Sequence, residues 1–191
     1  MKPKAEASGY LQGQLLLAMP SIGDPRFERT VIYMCAHNAS GAMGIVVNKL
    51  LDTISFPDML EQLNIPATPE HSQIRVHYGG PVETNRGFVL HSTDFMREGT
   101  ALVGEGFALT GTLDVLRAMA LGQGPKQALL ALGCAGWAPG QLDAEIQANG
   151  WLNVPAEPDL IFNSTEAEMW NKGMSRLGID IAALSGTAGH A

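Results

Sequence analysis

The fold depends most on residues 30–47, which read TVIYMCAHNASGAMGIVV. Residues 30–37 are rich in β-branched and aromatic side chains and almost entirely apolar, which is typical of a central strand covered on both faces. Residues 38–41 contain Asn, Ser and Gly and form a hairpin-sized loop. Residues 42–47 are apolar again. The stretch therefore predicts two neighbouring antiparallel strands.

Weaker patterns on both sides of this hairpin predict the other elements. Strands are predicted at 12–19, 74–78, 87–91 and 127–133, with a turn-rich segment at 21–27. Helices are predicted at 56–63 behind the cap Ser55, between Thr112 and Gly122, at 139–149, and from the capping box of Thr165 and Glu168. Because strands mostly precede helices and hairpins outnumber β-α-β units, the class predicted is single-domain α+β. Residues 1–8 are predicted to be a flexible tail and 9–191 the domain.

The composition excludes several classes of protein. Of the 191 residues, 46% are hydrophobic and 16% charged, so the chain can bury a core and is not disordered. A net charge of −7 without any cluster of three basic residues argues against a protein that binds DNA by itself. No apolar run suits a signal peptide or a membrane span. Cys35 and Cys134 are predicted to be buried free thiols in the cytoplasm, the alternative being a disulfide.

Motifs for common cofactors and for a nucleophilic serine are missing. No Gly-Lys-Ser/Thr sequence of a P-loop occurs. Gly104-Glu105-Gly106 comes nearest to a dinucleotide fingerprint, but Leu109 stands where the third glycine is needed, and we interpret the segment as a loop. No serine lies in a Gly-x-Ser-x-Gly elbow. The sequence therefore predicts no cofactor.

Five histidines, at positions 37, 71, 77, 91 and 190, raise the question of a metal site. Cys35 and His37 lie two residues apart on a predicted strand and so are expected to face the same side, where His91 or His77 from a neighbouring strand could join them. The alternative is a buried thiol beside a hydrogen-bonded histidine. A nucleophile–base pair would use the same two residues. We expect no metal.

A candidate ligand site follows the strand predicted to end at Gly133. Residues 134–140 read CAGWAPG, and the next helix is predicted to open at about 139. Such a turn leaves the first helical N–H groups unpaired, and these can hold a carboxylate or phosphate. Gly136 and Gly140 allow close approach, Trp137 supplies a flat apolar wall, and Gln141 can donate or accept a hydrogen bond. Alternatively, the glycines serve packing, Trp137 belongs to the core, and Gln141 caps a loop.

Two further hypotheses concern polar residues next to turns. Asn48 ends the third predicted strand and joins the candidate binding residues; its alternative role is a side-chain cap on the turn. Asp24 and Arg26 flank Pro25 and are predicted to lock the connection between the first two strands through hydrogen bonds to backbone. The alternative is an exposed turn without partners.

Taken together, these segments resemble the YqgE/AlgH family of bacterial proteins. The resemblance lies in GQLLLAMP (13–20), DPRF (24–27), HNASGAMGIVVN (37–48), GGPV (79–82), RGFVLH (86–91), LGCAGW (132–137), GQL (140–142), Glu145 and Trp151. It covers about residues 10–190. The chain departs from the family at Cys134, where an aromatic residue is usual, and at Ala138, where glycine is frequent.

The resemblance implies a strongly curved, partly split, mainly antiparallel sheet with flanking helices, and it brings no catalytic residues. Some members carry the label of transcriptional regulator, which comes from genetics and not from a DNA-binding motif. The function implied is a cytoplasmic regulatory protein that binds a ligand or a protein partner and affects transcription indirectly. The alternative is an enzyme acting on a small molecule, which a pocket residue with a functional pKa shift would favour. A direct DNA-binding regulator comes third.

Overall fold

One curled sheet carries most of the fold. The computed structural model describes residues 10–66, 68 and 73–185, and nine strands within them form the sheet. The strands are β1 (Gln14–Ala18), β2 (Val31–Asn38), β3 (Gly41–Val46), β4 (Val76–Tyr78), β5 (Val82–His91), β6 (Thr100–Gly104), β7 (Phe107–Thr110), β8 (Ala128–Trp137) and β9 (Trp151–Pro155). The helices are α1 (Phe56–Gln62), α2 (Leu113–Ala120), α3 (Gln141–Gln147), α4 (Pro158–Phe162), α5 (Glu166–Arg176) and α6 (Ile181–Ser185).

The sheet is split where β8 changes its neighbours. Residues 128–134 of β8 pair with β5 along one edge, and residues 130–132 pair in parallel with β4 along the other. Residues 135–137 pair with β3 instead. The chain from β4 to β5 must therefore cross β8, and Gly80 meets Gly133 at the crossing. A Cβ on Gly133 would lie 2.4 Å from the carbonyl oxygen of Gly80, so the crossing needs glycine there.

The two halves of the sheet curl around a common core. The hydroxyl of Tyr33 on β2 donates a hydrogen bond to the carbonyl oxygen of Val103 on β6 at 2.9 Å, although the two strands are not neighbours in the sheet. Apolar side chains from both halves pack on this concave face together with α4 and α5. The expected α+β class, with a strongly curved, partly split and mainly antiparallel sheet, is confirmed.

Helices also cover the convex face of each half. Helices α1 and α2 pack against β4, β5 and the first part of β8. Helix α3 packs through Leu142 against the other half, where Trp137 and Trp151 are buried together. The candidate site lies on this second convex surface.

Several predicted elements are confirmed, and several boundaries are wrong. Strand β5, predicted at 87–91, already begins at Val82. The β2–β3 hairpin is antiparallel, with Asn38 opposite Gly41, and the predicted cap Ser55 and the predicted capping box of Thr165 and Glu168 both begin helices. Strand β8 does not end at Gly133 but runs on to Trp137, because the positive φ of Gly133 (79°) redirects the strand toward β3 without ending it. Helix α3 consequently begins at Gln141 and not at about Pro139.

The sequence patterns do not predict strands β6, β7 and β9 or helices α4 and α6. The segment Gly104-Glu105-Gly106, interpreted as a loop, turns β6 into β7. The predicted tail, residues 1–8, lies outside the residues that the structure describes. None of the helices at 10–66, 68 and 73–185 has the length and apolarity that a bilayer crossing requires.

Candidate functional site

Three cavities border the β1–β2 connection, residues 19–30. The connection makes two tight turns, at Pro20–Ile22 and Pro25–Phe27. Asp24 accepts a hydrogen bond from the backbone N–H of Arg26 at 2.9 Å and further bonds from the Arg26 guanidinium. These bonds lower the pKa of the Asp24 carboxyl. The predicted backbone bond of Asp24 is present, but its partner lies two residues away within the same turn, and the Arg26 side chain bonds to Asp24 and not to backbone. That the pair locks the connection stays a prediction.

The first cavity, which we call the Trp137 cleft, has a volume of about 290 Å³ and lies between this connection and α3. Three of the predicted binding residues, Gly136, Trp137 and Gln141, line it. Gly140 adopts a left-handed conformation (φ 75°) immediately before α3 and is not part of the lining. Asn48 lines a different cavity. The structure thus brings three of the five predicted residues together.

Glu145 gives the Trp137 cleft its charge. Its Oε2 accepts hydrogen bonds from the indole nitrogens of Trp137 at 2.7 Å and Trp151 at 3.0 Å. Both indoles are buried, 8% and 1% exposed, so two rigid donors hold the carboxylate in one orientation. Its Oε1 receives a long bond of 3.4 Å from the Gln141 amide. Trp137, predicted as an apolar wall, therefore fixes Glu145 through its polar edge.

Sequence reasoning did not assign Glu145 a role, although a signal existed. Gln141 and Glu145 are four residues apart, which places both on the same face of a helix. Gln141 also serves the turn before α3, since its Oε1 accepts a hydrogen bond from the Ala138 N–H at 3.0 Å. One side of α3 thus supplies two polar groups of the cleft, Gln141 and Glu145, and the β1–β2 connection supplies Asp24 and Arg26.

The second cavity, which we call the Arg29–Lys49 cavity, has a volume of about 210 Å³ and contains Asn48 in its lining. Asn48 Oδ1 accepts a hydrogen bond from the Val31 N–H at 2.8 Å, and its Nδ2 donates to the Arg29 carbonyl oxygen at 2.9 Å. The alternative role of Asn48 as a side-chain cap on a turn is therefore confirmed. Sequence reasoning missed Arg29 and Lys49, because no local pattern indicates the left-handed conformation of Arg29 (φ 49°).

The third cavity is the largest, at about 390 Å³, and mostly apolar. Met19, Pro20, Ile22 and Trp170 contribute to its lining, and it shares Arg29 and Trp170 with the Arg29–Lys49 cavity. The indole nitrogen of Trp170 donates to the Ala18 carbonyl oxygen at 3.0 Å, which fixes the ring between the two cavities.

The predicted Cys35–His37 pair does not form. A β-bulge between Met34 and Ala36 shifts the register of β2, so Cys35 enters the concave core while His37 faces α3 on the other side. Burial raises the pKa of the Cys35 thiol, which disfavours a thiolate nucleophile. His37 Nδ1 instead accepts a hydrogen bond from the Leu11 N–H at 3.0 Å.

Metal-binding clusters are likewise missing from the part of the chain that the structure describes. His77 lies between the Leu130 carbonyl oxygen and the Glu166 carboxylate. His91 lies between the Ser92 carbonyl oxygen and the Thr110 hydroxyl. The histidines at 71 and 190 lie outside the described residues.

Known proteins match this chain over nearly its whole length. A family model described as AlgH-like matches residues 15–182. A UPF0301 protein of Rhodospirillum rubrum is 57% identical over 183 residues, covering 96% of this chain and 95% of the relative. A UPF0301 protein of Bradyrhizobium diazoefficiens is 54% identical over 193 residues, covering 97% and 90%.

Two solved structures share the fold. The solution structure of the AlgH protein from Pseudomonas aeruginosa has a TM-score of 0.81 at 40% identity and covers 100% of both chains. A crystal structure of a Corynebacterium diphtheriae protein has a TM-score of 0.69 at 22% identity, covering 87% of this chain and 86% of that one, which is a likeness of fold alone.

Proposed function

This chain belongs to the AlgH-like family, and we propose that it binds a small polar molecule in the Trp137 cleft. We further propose that it acts as a cytoplasmic regulatory protein that affects transcription indirectly. The observation that supports binding most directly is the Glu145 carboxylate, which two buried indoles orient at the lining of an open cleft. Charged groups held by rigid donors in a concave site are typical of ligand recognition.

The chemistry of the lining favours a ligand that carries hydrogen-bond donors. Glu145 Oε1 keeps acceptor capacity beyond its long bond from Gln141. Arg26, whose side chain is 60% exposed, brings guanidinium donors to the same cleft for an acceptor on the ligand. A strongly anionic ligand, the type considered for this segment from its sequence, would meet the charge of Glu145. A neutral molecule with hydroxyl or amino groups suits the cleft better.

Gly136 leaves room for such a ligand. It is exposed on β8, and a Cβ at this position would meet nothing closer than the Val82 side chain at 3.9 Å. The backbone of β8 can therefore be approached directly where Gly136 lines the cleft. This agrees with the predicted role of Gly136 in close approach.

Catalysis receives less support than binding. Arg26 lowers the pKa of Asp24 through hydrogen bonds. Partial burial opposes ionisation of Glu166, but its own backbone N–H, His77 and Arg75 outweigh that effect and lower its pKa. A carboxyl group that acts as a general acid near neutral pH needs a raised pKa. The pKa values of Asp24 and Glu166 are lowered instead, so neither carboxyl suits that role.

The burial of both free cysteines supports the assignment to a reducing compartment.

Amide chemical shifts of the ¹⁵N-labelled full chain test this proposal. Polyols, amino compounds, nucleosides, carboxylates and phosphates are added one class at a time. We expect the hydroxyl- or amino-bearing compounds to shift the amides of residues 136–142 and the indole signals of Trp137 and Trp151. Gln141→Ala should abolish these shifts at a nearly unchanged melting temperature.

Gln147→Ala is the matched control, since Gln147 is exposed on the same helix and does not line the cleft. This variant should bind as the wild type does. The proposal is wrong if no compound moves the amides of residues 136–142, or if Gln141→Ala and Gln147→Ala bind equally well.

A further inference from the structure

Two basic side chains without an acidic partner meet at the Arg29–Lys49 cavity. Most lysines and arginines in the described residues form salt bridges with carboxylates, whereas Arg29 and Lys49 form none with that part of the chain. Lys49 is half-buried and its Nζ donates to the Glu28 carbonyl oxygen at 2.9 Å. In a chain of net charge −7, two such cations beside one cavity of about 210 Å³ match the needs of an anion.

Arg29 is held in this place by its backbone and by its side chain. Its φ of 49° lies in the left-handed region, which is unfavourable for a residue with a Cβ. Asn48 stabilises the conformation by bonding to the Arg29 carbonyl oxygen and to the Val31 N–H, and is thus a positioning residue for Arg29. The Arg29 guanidinium lies 5.1 Å over the ring of Trp170. A strained backbone that presents an unpaired charge to a cavity is typical of a binding site.

Two carboxylates also line this cavity, and their charges differ in effect. Glu166 forms a salt bridge with Arg75 at 3.0 Å, so its charge is offset outside the cavity, and it also forms a hydrogen bond with His77 at 3.0 Å. Glu28 is exposed and forms no salt bridge with the described residues. Its charge therefore opposes an anion in the cavity, and removing that charge should strengthen anion binding.

The neighbouring apolar cavity indicates what the anion is attached to. The cavity of about 390 Å³ shares Glu28, Arg29 and Trp170 with the Arg29–Lys49 cavity, so the stacked pair of Arg29 and Trp170 stands between a polar and an apolar space. We propose that Arg29 and Lys49 bind the carboxylate or phosphate group of a small molecule whose apolar part occupies this neighbouring cavity. The Arg29–Lys49 cavity shares no lining residue with the Trp137 cleft, whereas the apolar cavity borders that cleft at Ile22 and Asp24.

Titration of the ¹⁵N-labelled full chain at physiological ionic strength tests the proposal. The probes are acetate, inorganic phosphate, benzoate and phenyl phosphate. We expect benzoate or phenyl phosphate to shift the amides of Arg29, Asn48 and Lys49 and the indole signal of Trp170. The better of the two should bind about tenfold or more tightly than its counterpart without the ring, because it buries apolar surface. The proposal is overturned if no probe shifts these signals, or if the ring adds no affinity.

Three variants identify the groups that bind. Arg29→Gly removes the cation and adopts the left-handed conformation readily, so affinity should fall about tenfold or more while the fold is kept. Lys49→Gln should weaken binding similarly and does not depend on the conformation of Arg29. Glu28→Gln should strengthen binding several-fold. The matched control is Arg97→Gln, since Arg97 also stacks on a ring, at 4.5 Å from Phe95, and forms no salt bridge with the described residues.

The affinities of these variants decide whether Arg29 and Lys49 bind the anion. The proposal is refuted if both Arg29→Gly and Lys49→Gln bind like the wild type, or if Arg97→Gln weakens binding as much as they do. Gln141→Ala should leave this binding unchanged, because Gln141 does not line either of the two cavities. If the anion proposal fails, the proposal for the Trp137 cleft is therefore unaffected. If the proposal for the Trp137 cleft fails, the anion proposal is likewise unaffected.

Discussion

Replacing Glu145 by alanine is expected to destabilise the protein by about 2–3 kcal/mol. The carboxylate accepts bonds from two buried indole N–H groups, at 2.7 Å and 3.0 Å, and each buried donor left without a partner costs about 1–3 kcal/mol. Both indoles line the cleft, but Trp151 is 1% exposed and Trp137 8%, so water can replace the lost acceptor more readily at Trp137 and Trp151 bears the larger loss. At about 2–4 °C per kcal/mol for a chain of this size, the melting temperature should fall by about 4–12 °C.

Urea denaturation followed by far-ultraviolet circular dichroism measures this loss without relying on tryptophan emission, which the substitution itself alters. Glu145→Gln keeps one acceptor oxygen and should lose about 1 kcal/mol, in the range of one neutral hydrogen bond. Gln147→Ala, on the same helix, should stay within about 0.5 kcal/mol of the wild type. If Glu145→Ala also stays within that range and the two indole N–H signals do not move, the indoles do not depend on Glu145 and the reasoning fails.

Three other outcomes are expected. Gly133→Ala should lower the urea midpoint more than Gly140→Ala, although both glycines have a positive φ, because only the Cβ at 133 meets a carbonyl oxygen; equal losses would contradict the chain crossing. Burial lowers the pKa of His91, although the Ser92 carbonyl and Asp94 act in the opposite direction. Because the folded state favours the neutral ring, the free energy of unfolding should decrease as the pH drops below about 6.5. The decrease should be larger in the wild type than in His91→Gln. No sequence-dependent binding of duplex DNA is expected at about 150 mM salt with competitor; a salt-resistant nanomolar shift would refute this.

The sequence predicts best the features that depend on residues close together in the chain. The β2–β3 hairpin follows from two apolar runs and a short loop, and the cap at Ser55 and the capping box at Thr165 each depend on only a few consecutive residues. The cleft was located for a similar reason, since Gly136, Trp137 and Gln141 lie within six residues of one another. Local spacing was enough to predict that these three residues lie near one another.

Features that depend on backbone irregularity or on distant partners could not be predicted. The β-bulge after Met34 adds one residue to β2, and a single extra residue sends Cys35 and His37 to opposite faces. Gly133 looked like the end of a strand because its new partner, β3, comes from a segment about 90 residues earlier. The orientation of the Glu145 carboxylate depends on Trp151, which follows Glu145 on a separate strand. The periodicity of apolar residues in the sequence does not indicate such contacts.

Both proposed sites use one rigid wall, the β1–β2 connection. Hydrogen bonds hold it at separate points: Asp24 bonds to the Arg26 N–H within the connection, the Ser21 hydroxyl donates to the Asn149 carbonyl oxygen at 2.6 Å, and the Asn48 side chain donates to the Arg29 carbonyl oxygen. A ligand on either side therefore meets a surface that is already ordered, and its affinity is not reduced by the cost of ordering a loop. Because these bonds do not involve Gln141, Gln141→Ala reports on the Trp137 cleft while the shared wall stays in place. Lys49 does donate to the Glu28 carbonyl oxygen of this wall, so the result for Lys49→Gln has to be read together with that for Arg29→Gly.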